Sequence, residues 1–438
     1  MGINYTFNKY RDLIVGVGKK VPLSNGERVV GINFDNAATT PPFDHVLYDI
    51  VKFSQLYSST HRGTGYKSQI TSKFYDGARD EVLKFVNADP ETHLVIFVKN
   101  TTEGINKLSY RLMSEKKSVV LSTWMEHHSN DLPWRDKYQV EYADIDAKGM
   151  LSIKDLEDKL YKFNGEIKLV TVSGASNVTG YVNDIHAIAR LAHKYNARLL
   201  VDGAQLVPHA RVNMRPDNKE EWIDFLVFSA HKMYAPFGTG VIIAPKACFI
   251  EGVPEYSGGG TVQIVTRDYV VWENAPYKEE AGSPNILGVR ALISSIHELN
   301  KIGMVNVEKR EKQLTTYAIN KLMKIPRIKI YCDTNEDVTR VGIIPFNIEG
   351  IPHYEVSRLL SENAGIAVRN GCFCAQPYVQ RLMNVSIDDM EVYKYNKEMP
   401  RPGMVRVSFG IYNTYNEVDI LIKELKRIVK TYPVDLYV

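Results

Sequence analysis

Short apolar runs separated by amphipathic stretches dominate residues 93 to 229. HLVIFV (93–98), KSVVLS (117–122), IKLVTVS (167–173), ARLLVD (197–202) and DFLVFS (224–229) are rich in Val, Leu, Ile and Phe. They lack sustained alternation with polar residues, which is the pattern of strands covered on both faces. Between them, apolar positions recur at helical spacing: Ile105, Leu108 and Leu112 follow NTTEG, and Ile185, Ile188, Ala189 and Ala192 follow Asp184, a good N-cap residue. Strand, turn and helix in repetition predict an α/β fold, a mainly parallel sheet covered by helices. After about residue 300 the pattern changes. Longer charged helices (VEKREKQLTTYAINKLM, NEVDILIKELKRIVK) flank the strands RVGIIPFNI and GMVRVSFGI, which predicts a smaller α+β unit. The expected division is a large domain over 35–300 and a small domain made of 1–34 with 301–438. Residues 384–403 predict a long irregular surface loop.

Composition narrows the function. With 54 basic and 51 acidic residues the formal charge is +3, and no Lys/Arg run of the kind that tracks a nucleic-acid backbone is present. No stretch reaches the roughly 18 apolar residues of a membrane span, and MGINYTFNKYRDL lacks a signal-peptide core. The expectation is a cytoplasmic protein with neither nucleic acid nor membrane as partner. The cysteines at 248, 332, 372 and 374 are too few for a disulfide scaffold, and Cys248 and Cys332 have the apolar neighbours of packing residues.

Cys372 and Cys374 stand one residue apart in GCFCAQP (371–377), and three readings compete: a metal clip, a disulfide or a nucleophile. Zinc needs two further ligands, and no second Cys or His pair has finger-like spacing, so no metal is expected. A disulfide across an extended i, i+2 pair lies at the edge of the allowed Cα separation, so it would be strained and reducible.

In an open parallel sheet, ligands bind beyond the carboxyl ends of the strands. Here those ends carry Asn100-Thr101-Thr102, Glu126-His127-His128, Ser176-Asn177, Asp202 with Gln205, and Ser229-Ala230-His231-Lys232. Each has a plain structural reading: Thr and Asp as helix caps, Lys232 as a lysine that snorkels to water. The functional readings differ in kind: hydroxyls and free N–H groups at a helix start suit a phosphate, and a desolvated lysine suits Schiff-base chemistry. Phosphate site, strand-end carboxylate and buried lysine together are what pyridoxal phosphate requires.

At this point the sequence resembles a family. FDNAATTPP, HRGTG, KNTTEGIN, MEHHSNDLPW, SNVTGYVNDI, LLVDGAQLVPH, FSAHKMYAPFGTG, EAGSPN, AVRNGCFCAQP and VRVSFGIYNT are similar, in order, to blocks of the class V pyridoxal-phosphate enzymes. The closest likeness is to the cysteine desulfurases of the group that includes selenocysteine lyases; GCFC and VRVSFG also resemble the cofactor-binding part of molybdenum cofactor sulfurases. The resemblance implies the fold type I architecture, with a seven-stranded sheet in the large domain. It implies pyridoxal 5'-phosphate bound to Lys232 as a Schiff base, Asp202 on the pyridine nitrogen, His127 stacked on the ring, Gln205 on the phenolic oxygen and Asn177 beside it. Thr101, Thr102, Ser229 and His231 would hold the phosphate, and Ser283 would reach the phosphate of a second subunit, making a homodimer. Arg406 would take the substrate carboxylate, with Arg369 and Asn36 also on the substrate side, and Cys374 would accept sulfur from L-cysteine and pass it to an acceptor protein. Departures are Gly65, Gly174-Ala175 and Cys372-Phe373, which stand where related desulfurases carry histidines. They leave room for another class V reaction (selenocysteine lysis, transamination, epimerisation) or for a pyridoxal-binding sulfur carrier of low activity. Cys372 is a further thiol that could resolve a persulfide on Cys374.

Overall fold

The computed structural model of the chain describes residues 9–113, 118–396, 399 and 401–432. One sheet holds seven strands: β1 His93–Val98, β2 Val119–Thr123, β3 Gln139–Ala143, β4 Ile167–Ser173, β5 Arg198–Asp202, β6 Phe225–Ser229 and β7 Gly240–Pro245. Their order is β1-β7-β6-β5-β4-β2-β3. All pairings are parallel except those of β7, which runs antiparallel to both β1 and β6. The reason lies in the connection 230–239, which is too short for the crossover that a parallel return needs. That same short connection carries Lys232.

Strands β2 and β6 are buried along their whole length, as their unbroken apolar character predicts. Successive residues feed two cores: Val95, Phe97, Leu121, Val201 and Phe228 point to one face, and Leu94, Ile96, Val98, Leu200 and Val227 to the other. The helix Thr101–Arg111 lies close on the second face. Gly104 permits this approach, because a Cβ there would sit 2.6 Å from Cγ1 of Val227.

A second sheet of four antiparallel strands, β8 Ile328–Ile330, β9 Ile343–Ile348, β10 Arg369–Gly371 and β11 Met404–Ser408, has the order β8-β9-β11-β10. Phe346, Val405 and Val407 pack there against Leu314, Leu360 and Leu421 of the helices Met304–Leu322, His353–Ala364 and Tyr415–Thr431. The last of these helices starts on a capping box between Thr414 and Glu417. Upstream residues join this sheet region: Ile32–Asn33 pairs in parallel with Ile366–Ala367, and Asp35 bridges to Ser408. The segment 384–403 is not the irregular loop expected. It holds a helix, Ile387–Tyr395, capped by a Ser386–Asp389 box and with no buried residue; residues 397, 398 and 400 lie outside the described ones.

Candidate active site

The ends of β2, β4, β5 and β6 and the turn after β1 open into one cavity of about 490 Å³. Asn100, Thr101, Thr102, His127, Asn177, Asp202, Gln205, Ser229, His231 and Lys232 line it on the side of the large sheet. Arg369, Phe373, Cys374 and Arg406 line it from the second sheet and the turn that follows β10. Residues from opposite ends of the chain therefore share one chamber, with the carboxyl ends of parallel strands forming its floor.

Hydroxyls organise the start of the helix Thr101–Arg111. Asn100 caps it by accepting from the Glu103 N–H at 3.0 Å. The Thr101 N–H donates to Ser229 Oγ at 2.8 Å, the Thr101 hydroxyl meets the same Oγ at 2.7 Å, and Thr102 meets Ser129 Oγ at 2.6 Å. These groups and the helix N-terminus suit an anion such as a phosphate.

His127 is fixed by Ser129, whose backbone N–H donates to Nδ1 at 3.1 Å and whose hydroxyl lies 2.9 Å from it. An N–H donated to Nδ1 requires that nitrogen to be unprotonated, so the ring carries its proton on Nε2. Burial first, and then the positive charges of Lys232, His128 and Arg406, push the ring down to about 3. His127 is therefore favoured in its neutral form. His231 is likewise held down to about 4 by burial and by Lys232.

Asp202 is buried, with Oδ1 accepting from the Ala204 N–H at 2.9 Å. Burial pushes its carboxyl up; the Ala204 hydrogen bond and the Lys232 charge pull it back. Lys232 is pushed down to about 8, chiefly by burial, with Asp202 opposing and Arg406 adding to the effect. A lysine in this range is a usable nucleophile at neutral pH. Gln205 donates to Ala37 O at 2.7 Å, and its Oε1 is buried without a partner. An orphaned amide oxygen, a strand-end carboxylate, a lysine of low basicity and a hydroxyl-rich helix start fit pyridoxal phosphate as one donor set.

On the opposite wall, Arg406 is buried; its Nη1 donates to Asn177 O at 2.9 Å and its Nη2 to Asp35 Oδ1 at 3.1 Å. Burial pushes it down to about 10, against the pull of Asp35. Arg369 pairs with the other oxygen of Asp35 at 3.0 Å. The two arginines are thus bridged by one carboxylate, a group that the sequence reading passed over although FDNAATT contains it. The Arg406 guanidinium lies 4.9 Å over the Phe373 ring.

Cys374 is exposed to the cavity. Phe373 and Cys374 have φ of 53° and 56°, and the Ala375 N–H donates to Cys372 O at 2.9 Å. Four residues thus close a tight turn whose two central, non-glycine residues are left-handed. It is tied to the large sheet: Asn177 Nδ2 donates to Phe373 O at 2.7 Å, His128 N–H to Cys374 O at 2.7 Å, and Gln376 N–H to His128 Nε2 at 3.1 Å.

Two expected site residues lie elsewhere. Asn36 is fully buried and does not line the cavity; its amide donates to Ser408 O at 3.0 Å and Asn413 Oδ1 at 3.2 Å, which makes it a fastener between segments. Ser283 lines a separate cavity of about 320 Å³ with Ser58, His61, Arg62 and Gly260. Glu126 was noted only as a polar strand end, yet its buried carboxylate accepts from Thr123, Asn130, and both the N–H and hydroxyl of Ser173 at 2.6 to 3.0 Å. It ties the His127 turn to the end of β4. Burial pushes it up to about 7 while these four donors pull it down.

The absent histidines have different physical settings. A Cβ at Gly174 would sit 2.8 Å from Leu206 Cδ2 and 3.0 Å from Val201 Cγ1, so a larger residue there has lost its space. At Gly65 nothing lies within 4 Å of the Cβ position. Among the described residues no cluster of His, Cys, Asp or Glu could hold a metal ion, and no helix is long and apolar enough to cross a membrane.

Comparison with known proteins agrees with this geometry. Residues 32–421 match the model of the aminotransferase class-V family. The chain is 32% identical over 410 residues to a cysteine desulfurase of Wigglesworthia glossinidia brevipalpis, covering 91% of this chain and 93% of that protein. It is 31% identical over 405 residues to a cysteine desulfurase of Escherichia coli O8, covering 90% and 92%. Among solved structures, the apo cysteine desulfurase of Thermococcus onnurineus NA1 superposes with a TM-score of 0.80 at 29% identity, covering 92% of this chain and 95% of that one. The Escherichia coli cysteine desulfurase CsdA in its S-sulfonic acid form gives 0.79 at 26% identity, covering 98% and 100%. Matched over about nine-tenths of its length, the chain belongs to the aminotransferase class-V family.

Proposed function

We propose that this protein is a pyridoxal-phosphate-dependent cysteine desulfurase, converting L-cysteine to L-alanine and leaving the sulfur as a persulfide on Cys374. The observation that carries the reading is the shared chamber: a lysine of lowered basicity, Asp202, a fork-shaped arginine and an accessible thiol all line it. Names borne by relatives of about 32% identity over most of the chain support the same reaction.

Bound pyridoxal phosphate supplies an electron sink for negative charge developing at the substrate α-carbon. Lys232 would hold the cofactor covalently and, once displaced by substrate, carry a proton at Nζ. Asp202 would face the pyridine nitrogen, neutral His127 the ring, Gln205 and Asn177 its oxygen edge, and Thr101, Thr102, Ser229 and His231 the phosphate. Arg406 would clamp the substrate carboxylate, with Asp35 holding the guanidinium in plane and Arg369 at the rim. The Cys374 thiolate would attack the substrate sulfur: an S–S bond forms, the C–S bond breaks, and its electron pair stays with the β-carbon, which is protonated to the methyl group of alanine.

Ser283, away from the chamber, suits a residue that acts on a second subunit, and we place the protein as a homodimer that hands sulfur to an acceptor protein in the cytoplasm. The proposed division remains a large domain over 35–300 and a small one from 1–34 with 301–438.

Purified protein tests this. Lys232→Ala is expected to lose the yellow colour and all turnover. Cys374→Ser is expected to keep the colour and lose sulfide formation from cysteine by at least about a hundredfold. Normal cysteine turnover in Cys374→Ser would refute the persulfide route.

A further inference from the structure

Cys372 has no part in the reaction above, yet it is the first residue of the turn that presents Cys374. Hydrogen bonding of Ala375 N–H to Cys372 O, with Phe373 and Cys374 both left-handed, folds the segment rather than extending it. Closing of the turn by Ala375 N–H on Cys372 O shortens the extended separation and brings the Cα pair within the ~4.4–6.8 Å range that a disulfide accepts; bridging also requires the two side chains, which sit on different sides of the turn, to rotate toward each other.

The two thiols face different surroundings. Cys374 is exposed and lines the chamber, whereas Cys372 is half-buried, does not line it, and donates from Sγ to Pro402 O at 3.1 Å. Burial pushes the Cys372 thiol up; the Arg401 charge pulls it down, and the Cys374 charge pushes it up further. A sulfur delivered from substrate arrives on the chamber side of Cys374, while Cys372 approaches from behind the turn. Its reachable target is the inner sulfur, Sγ of Cys374.

We propose that Cys372 is a resolving thiol that discharges the Cys374 persulfide as free sulfide and closes a Cys372–Cys374 disulfide. This rests on the persulfide reading above. The Cys372 sulfur attacks Sγ of Cys374, the Sγ–Cys372 bond forms, and the bond from Sγ to the outer sulfur breaks. Hydrosulfide leaves with that electron pair and takes up the thiol proton of Cys372. The outer sulfur is reduced to sulfide while the Cys372 sulfur is oxidised and Cys374 Sγ keeps its disulfide oxidation level, so this step needs no external oxidant. Hydrosulfide is a weaker base than a cysteine thiolate, which favours its departure. The small ring is strained, so a low-molecular-weight thiol or dithiol reopens it with two electrons and readies the enzyme for the next cycle. Sulfide production is then metered by reductant, whereas the first alanine is not.

The test is a single turnover: cofactor-loaded enzyme, one equivalent of L-cysteine per site, no added thiol, under argon, with alanine, sulfide and the mass of the peptide spanning 370–381 measured together. Wild type is expected to release sulfide and alanine in a ratio near one and to yield a peptide lighter by two hydrogens. Cys372→Ser is expected to give a ratio near zero and a peptide heavier by one sulfur, with sulfide appearing only when dithiothreitol is added. Wild-type peptide that keeps the extra sulfur, with no sulfide before dithiothreitol, overturns the proposal and leaves the persulfide reading standing. Sulfide and alanine formed by Cys374→Ser would instead overturn the persulfide reading itself.

Discussion

The two walls of the chamber are built on different principles. The large-sheet wall is made of strand ends whose side chains are held by neighbours in the same layer: Ser229 with Thr101, Ser129 with Thr102 and His127, Glu126 with Ser173. Little in it can shift without breaking a sheet. The opposite wall is two β-strand arginines, Arg369 and Arg406, and one left-handed turn, fixed in part by contacts that cross from sheet to sheet. Under the proposed function, cofactor positioning would sit on the layer where strands dictate geometry, and sulfur handling on the part that a short segment can remodel.

Substitutions can break or sharpen this contrast. The largest effect is expected at Arg406. A lysine there keeps the charge but loses the fork that meets both Asn177 O and Asp35, leaving buried groups unmatched at about 1–3 kcal/mol. Steady-state kinetics should show KM for cysteine raised by roughly a hundredfold or more, with the visible absorbance of bound cofactor retained. Loss of that absorbance would mean that the second wall also holds the cofactor.

Next comes Glu126→Gln. Four donors converge on the carboxylate, and an amide must turn its own NH2 toward some of them, leaving buried groups unmatched at about 1–3 kcal/mol. Thermal unfolding should report that loss in the apo-protein, and an unchanged midpoint would remove Glu126 from its role of securing the His127 turn.

Gly174→Ala is expected to cost about 1–3 kcal/mol by overpacking against Leu206 and Val201, and Gly65→Ala, with open space at its Cβ, only a few tenths. Equal losses in urea unfolding would contradict the close packing around Gly174. A smaller and graded effect is that of pH on cofactor uptake. Only the neutral Lys232 amine adds to an aldehyde, and its ammonium form persists below about pH 8. The rate at which apo-enzyme takes up pyridoxal phosphate should therefore fall about tenfold per unit below that pH and level off above it. Asp202 supports the charged form, so Asp202→Asn should move the break to lower pH.

Most of the strand-end wall was legible because its signals are local. An apolar run ends, a polar residue follows, and the parallel topology brings such ends together. Residues whose role depends on partners far along the chain were not. Asp35 and Arg406 are 371 positions apart, and nothing in FDN says which of its side chains pairs with the arginines; the structure turns Asn36 inward to Ser408 and Asn413. The helix Ile387–Tyr395 was missed because it buries no apolar stripe, although SIDD carried the capping signal. The turn at Cys372 was read as extended, since left-handed φ at Phe373 and Cys374 is a conformation that neither residue type advertises.

Three hydrogen bonds, from Asn177, His128 and Gln376, moor the sulfur-bearing turn to its surroundings. An arm held this way keeps Cys374 inside the chamber, so under the proposed function a sulfur recipient would have to reach in to it.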